Sequence, residues 1–117
     1  MIEKHGIASQ RIVKIYNGVE VDEYCMADEE MVCRRLRFRK ESGLGDKVPI
    51  IGVIGRLVWQ KGFECFIEAI PEVLNKFKHA RFLIVGEGVL KDELEARCKK
   101  LKLADNIIFT GFRSDIK

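Results

Sequence analysis

Three short apolar runs, each closing on a glycine and separated by stretches of a different period, restrict this chain to one kind of architecture. They are "KVPIIGVIGR" (47 to 56), "ARFLIVGEG" (80 to 88) and "DNIIFTGF" (105 to 112). Near-continuous Val, Ile, Leu and Phe suit parallel strands covered on both faces, because a half-exposed strand alternates apolar with polar residues. After the first run, Phe63, Phe66, Ile67, Ile70, Val73, Leu74 and Phe77 recur at the helical period. Pro71 sits inside that stripe, where its missing N–H should kink or loosen the helix. After the second run, Leu90, Leu94, Cys98 and Leu101 mark another helix over 89 to 103. Strand, helix, strand, helix, strand predicts an α/β unit with a parallel sheet and right-handed crossovers. It amounts to a three-layer, Rossmann-like half domain.

Upstream, "RIVKIYNGVEV" (11 to 21) reads as a short strand leaving into a turn at Asn17-Gly18. Residues 27 to 45 read as a helix, with Asp28, Glu29 and Glu30 at its start and cations towards Gly43, in the sense a helix dipole favours. With 117 residues the chain is one domain at most, and a net charge of +3 gives no ground for nucleic-acid binding. The four cysteines show no C-x-x-C spacing, so no metal site is expected; Cys65 and Cys98 fit helical patterns as small apolar side chains. No apolar stretch reaches the ~18 residues of a membrane span, and no apolar leader precedes the first element. Reduced thiols and the lack of a leader suit a cytoplasmic protein.

Ligands of open parallel sheets bind beyond the carboxyl ends of the strands. Here those ends carry Gly55-Arg56, Gly86-Glu87-Gly88 and Gly111-Phe112, and Lys61 follows Arg56 on the same connection. Glycine admits a bulky anion close to backbone, the next helix offers unpaired amides, and a guanidinium grips two phosphate oxygens. Any single seam of this kind is commonly just a tight turn, and a lone loop cation is commonly just solvated. Three seams on one edge, one of them doubly cationic, point to a phosphate or diphosphate. The motif of nucleoside triphosphatases, G-x-x-x-x-G-K-[ST], is absent. The dinucleotide fingerprint also fails: Gly86-Glu87-Gly88 runs on to Lys91, and Glu87 lies well beyond the spacing of about 20 residues expected for a ribose-binding acid.

Four stretches in order, "IYNGVEVDEY", "VIGRLVWQKGFECFIEAI", "FLIVGEGVLKDEL" and "NIIFTGFRSDI", resemble the motifs of family 4 glycosyltransferases. The resemblance implies retaining, nucleotide-sugar-dependent chemistry on a GT-B fold. It implies that residues 1–24 end the acceptor-side domain and form the hinge, that 25–47 are a linking helix, and that 48–117 are part of the donor-binding domain. By that likeness Arg56 and Lys61 hold the donor diphosphate and stabilise it as it departs, with no metal or other cofactor. Gly55, Gly86, Glu87, Gly88 and Gly111 edge the nucleotide, and Phe112 and Arg113 flank the base. His5 and His79 match no catalytic position; His79 reads as capping or solvated.

The family's two glutamates, eight positions apart and further along the donor domain, are not in this sequence, so the polypeptide alone is expected not to catalyse transfer. Two other readings stand beside this one: a non-catalytic nucleotide- or phosphate-binding module, and a GT-B epimerase or phosphorylase. Expected partners are a nucleotide sugar and a glycan or lipid-linked acceptor. The cations Arg34, Arg35, Arg37, Arg39 and Lys40 suit a solvated helix face, or else peripheral contact with the inner face of the membrane. A third strand without a further neighbour should leave apolar surface open, with marginal stability, self-association or a partner supplying the missing half as the expected result. Trp59 reads as packing the loop between Arg56 and Lys61.

Overall fold

The computed structural model describes residues 12–25 and 27–116. Strands β1 (Ile50–Ile54), β2 (Arg81–Val85) and β3 (Ile107–Gly111) form one parallel sheet in the order β1-β2-β3. Helix α1 (Asp28–Glu41) precedes the sheet, α2 (Phe63–Lys76) joins β1 to β2, and α3 (Lys91–Lys100) joins β2 to β3. Successive crossovers of one hand between adjacent strands put α2 and α3 on the same face of the sheet. There Arg97 of α3 donates to the Glu68 carboxylate of α2.

The expected parallel α/β unit is thus present, and its register explains which residues are buried. Val53 is paired with Ile84 and Ile84 with Phe109, so these side chains share the helix-covered face. Phe63, Ile67 and Ile70 of α2 and Leu94 and Cys98 of α3 pack onto Phe82, Ile84 and Ile107 from above. Phe66 meets Phe82 edge-on at 6.0 Å between ring centres. Each fully buried Leu, Ile or Phe contributes about 1.5–3 kcal/mol by leaving water, which makes this layer the main source of stability. On the opposite face Leu83 and Val85 of the central strand are still buried, whereas Ile54 on the edge strand is 58% exposed.

Several expectations are corrected. Residues 12–20 carry no strand, and no turn forms at Asn17-Gly18; a single 3-10 turn follows at Val21–Tyr24. Val13, Ile15 and Tyr16 are exposed, because an extended segment with no sheet edge beside it has no ladder to join. The part of that stretch before Ile12, and His5, lie outside the described residues. Helix α2 runs through Pro71 to Lys76 without a break: burial of Phe63, Ile67 and Ile70 outweighs one missing hydrogen bond. Its stripe nevertheless ends early, since Phe77 leaves helical geometry (φ −124°, ψ 72°) and stands exposed. Cys65 is exposed, and of the three helical thiols, Cys33, Cys65 and Cys98, only Cys98 is in the core. His79 is exposed, its carbonyl accepting from Arg81.

Helix α3 stops at Lys100 rather than 103 for a local reason. Leu103 N–H bonds back to Cys98 O at 2.9 Å and Lys102 N–H to Lys99 O at 3.0 Å, the paired closure of a Schellman end. That closure turns Leu103 into the core and leaves Leu101 outside. It also forces Lys102 to φ 57°, a region that penalises any side chain. Replacing Lys102 by Gly should therefore raise unfolding stability by about 1 kcal/mol, read as a shift of the urea midpoint at unchanged slope.

Helix α1 buries no side chain, and its solvent faces carry two i,i+4 ion pairs, Glu30–Arg34 and Arg37–Glu41. What fixes its end is Arg39, whose guanidinium donates to the carbonyls of Gly45 (2.7 Å) and Val48 (2.8 Å) on the approach to β1. No helix among the described residues is long and apolar enough to cross a membrane.

Candidate functional site

Pairing continues past the carboxyl ends of the strands. Gly55 N–H donates to Val85 O (2.9 Å), Leu57 N–H to Glu87 O (2.9 Å) and Gly86 N–H to Gly111 O (2.8 Å). The loops after β1 and β2 therefore lie edge to edge, and the three glycine seams meet along one rim. A Cβ on Gly86 would fall 1.9 Å from Gly55 O, and one on Gly88 would fall 2.4 Å from Leu57 O. Protein backbone occupies the space those two glycines leave free. Gly86 also adopts φ 137°, where a side chain is strained whatever its surroundings.

Beside this stitched rim opens a cavity of about 320 Å³, at the small end of the ~300–1,000 Å³ typical of ligand sites. Gly55, Arg56, Gly86, Glu87, Phe112 and Arg113 all line it, so six of the nine residues singled out from the sequence converge here. Gly111 lies immediately below: a Cβ there would be 3.5 Å from the Glu87 carboxylate. Gly88 and Lys61 are not part of the lining. Gly88 is turned against Leu57, and Lys61 stands exposed on a 3-10 turn (Trp59–Lys61) that leads into α2. Among the described residues neither Arg56 nor Lys61 makes a side-chain hydrogen bond or ion pair. Trp59 is 73% exposed, so it does not pack the loop as expected.

The remaining lining is apolar: Ile54, Val85 and Ile116. Reasoning from charge and glycine passed over these three. Ile54 and Val85 carried a usable signal, each being the last strand residue before its glycine seam; Ile116 carried none. The cleft thus offers a mostly apolar floor bordered by the residues Arg56, Arg113 and Glu87, a lining able to hold a ring system beside charged groups.

Arg113 is anchored from two sides. It donates from Nε to Asp115 Oδ1 at 2.8 Å and from Nη2 to Asp115 Oδ2 at 2.5 Å, and its guanidinium lies 5.3 Å from the Phe38 ring centre of α1. The hydrogen bond from Arg113 holds the Asp115 carboxyl below its ordinary value, and the same pair raises the Arg113 value.

A parallel three-stranded α/β unit with its crossover helices on one face is a fold this chain shares with GT-B glycosyltransferases. The chain belongs to the family described as glycosyl transferases group 1, whose sequence profile matches residues 34–117. An uncharacterized glycosyltransferase of Methanocaldococcus jannaschii is 34% identical over 104 residues, covering 87% of this chain and 25% of its own length. The 2-deoxystreptamine glucosyltransferase of Streptomyces kanamyceticus is 31% identical over 108 residues, covering 90% of this chain and 27% of its own. The chain thus spans about a quarter of the length of these curated relatives. In fold it resembles HepE of Anabaena, solved in complex with UDP-glucose. That match has a TM-score of 0.78 at 23% identity, over 97% of this chain and 30% of HepE.

Two outcomes follow from the rim geometry. Gly86→Ala should cost at least ~3 kcal/mol of unfolding free energy, because a Cβ inside backbone contact distance forces the two loops apart; denaturant unfolding measures it. The Asp115 value, depressed in the folded state, makes a contribution that is complete above the unfolded carboxylate range and is lost as pH falls through the folded value. In Arg113→Met, NMR titration should show the Asp115 carboxyl protonating at higher pH than in the wild type.

Proposed function

We propose that this chain supplies the diphosphate-facing wall of a donor site for retaining glycosyl transfer of the family 4 type, with a nucleotide-diphosphate sugar as donor. The observation that carries the reading is Arg56: it lines the rim cavity next to Gly55 and Gly86 and has no ion partner among the described residues. An unpaired guanidinium at the carboxyl edge of a parallel sheet suits an anion arriving from outside. The glucosyltransferase name of the Streptomyces relative, and the UDP-glucose held by HepE, agree with a sugar nucleotide as ligand.

When a sugar leaves a nucleotide diphosphate, negative charge grows on the departing phosphate. In this reading Arg56 meets that charge in a partly desolvated cleft, and Lys61 adds a second cation from the start of α2, where unpaired amides and the helix dipole act in the same sense. These groups take the place of a divalent metal, so transfer by the complete enzyme should persist in EDTA. The apolar floor of Ile54, Val85 and Ile116 would hold the base, with Glu87, Phe112 and Arg113 around it and Gly88 and Gly111 shaping the loops. The acceptor is a glycan or a lipid-linked sugar reached at the cytoplasmic face of a membrane, and the polypeptide of 117 residues binds donor without turning it over. Residues 1–24 serve as the hinge side and 48–117 as the donor side of the site.

Calorimetry at low salt on the 117-residue chain, with GDP, UDP, ADP, NAD and inorganic pyrophosphate, tests the reading directly. Nucleoside diphosphates should bind ahead of NAD, and Arg56→Ala should weaken them roughly 10- to 100-fold, as expected for losing a charged hydrogen bond. Trp59, the only tryptophan, reports the same event, since its exposed indole sits on the loop between Arg56 and Lys61. In the complete enzyme Lys61→Ala should lower turnover on the order of 10²- to 10³-fold with normal folding. Absence of binding to every diphosphate would overturn the proposal.

A further inference from the structure

The edge opposite the rim, where the strands begin, gathers charge of one sign. Lys47 precedes β1, Lys76 and Lys78 stand at the end of α2, Arg81 opens β2, and Lys99, Lys100 and Lys102 close α3. Within these connections only Asp46 and Asp105 oppose them. Backbone bonds draw the three connections together: Arg81 N–H donates to Pro49 O at 2.9 Å and Phe82 N–H to Asn106 O at 2.8 Å. All six lysines are exposed, and none makes an ion pair or side-chain hydrogen bond among the described residues.

Cations at helix C-termini suit the helix dipole. The dipole does not account for what stands among them. Phe77 and Leu101 both belong to the helical stripes of the sequence, yet both are turned out of the core, 56% and 39% exposed. Each lies between lysines, in "KFK" (76 to 78) and "KKLK" (99 to 102). Two adjacent helix ends thus present the same arrangement, an apolar tip flanked by ammonium groups.

We propose that this edge is a docking surface for an anionic lipid bilayer, with Phe77 and Leu101 entering the interface and the lysines meeting the headgroup phosphates. Charge complementarity fixes the sign of the partner, and the apolar tips fix its kind. Lysine is a point charge on a flexible stem, suited to a diffuse anionic surface, whereas arginine's planar fork suits a discrete anion. The one arginine here, Arg81, is turned to the carbonyls of His79 and Ala80. A nucleic acid or an acidic protein offers the same charge but no acyl layer to receive the two tips. The basic stretch of α1 is a different surface, with Arg34 and Arg37 paired to acids of their own helix. Docking through the amino edge leaves the rim open to water at the far end of the strands. The proposal is separate from the donor-site reading, and either can fail without the other.

The test is co-sedimentation of the full 117-residue chain with vesicles of phosphatidylglycerol and phosphatidylcholine in equal parts, and with phosphatidylcholine alone. The chain should pellet with the first at low salt, be released at high salt, and ignore the second. Lys76→Gln and Lys78→Gln should each weaken binding roughly fivefold. Phe77→Ser and Leu101→Ser leave the charge unchanged and should still weaken it several-fold. Arg35→Gln and Arg37→Gln on α1 remove the same charge and should change it by less than about twofold. Urea unfolding checks that each variant is folded. In a Trp59→Phe background, Phe77→Trp should shift its emission to the blue on anionic vesicles, whereas Trp59 of the wild type, on the rim, should not shift. Failure to pellet with anionic vesicles overturns the proposal, and so does loss of binding through the α1 variants in place of the lysines. Undiminished binding by Phe77→Ser combined with Leu101→Ser overturns it as well, since the edge would then be an electrostatic surface for any polyanion.

Discussion

Everything at the functional end of this molecule depends on backbone of one loop lying against backbone of the next. The hydrogen bonds Gly55→Val85, Leu57→Glu87 and Gly86→Gly111 carry the sheet ladder beyond its strands. They require that Gly86 and Gly88 have no side chains, because Gly55 O and the Leu57 backbone fill the volume a Cβ would take. Once the loops are locked in this way, Arg56 and Arg113, which are remote in sequence, become walls of one cavity. The glycines act indirectly, by fixing the scaffold on which Arg56 and Arg113 stand.

The core is arranged to leave that rim accessible. Helices α2 and α3 cover one face of the sheet and anchor through Phe63, Ile67, Ile70, Leu94 and Cys98. Both start at the carboxyl edge, so their N-terminal amides point to the side where the strands end. The apolar layer supplies stability, and the rim in turn can expose Trp59, Val89 and Phe112 to solvent. Exposed large apolar groups on loops are usual for surfaces that meet something else.

Helix α1 has a different part. It contributes no buried residue, and polar ties hold it: Arg39 to two carbonyls ahead of β1, and Phe38 beneath the Arg113 guanidinium. A helix held through one arginine at its end and one ring at the partition of the rim couples the approach to β1 with the exit from β3. Its cations are largely engaged in i,i+4 pairs or in these ties, which fits the ordinary reading of that basic stretch as a solvated face.

The sequence by itself determined the α/β order, the parallel sheet and the edge on which the three glycine seams meet. These follow from local physics: unbroken apolar runs make buried strands, the helical period makes crossovers, and ligands meet parallel sheets at their carboxyl ends. It also placed Gly55, Arg56, Gly86, Glu87, Phe112 and Arg113 correctly on one edge. Local pattern did not reveal that residues 12–20 remain unpaired, that α2 continues through Pro71, or that Lys102 turns left-handed to end α3. Each of these depends on what lies alongside in space. Only the tertiary structure decided that Lys61 stands apart from the cavity while Arg113 lines it, because side-chain company is set by strand register and loop stitching, which sequence spacing does not encode.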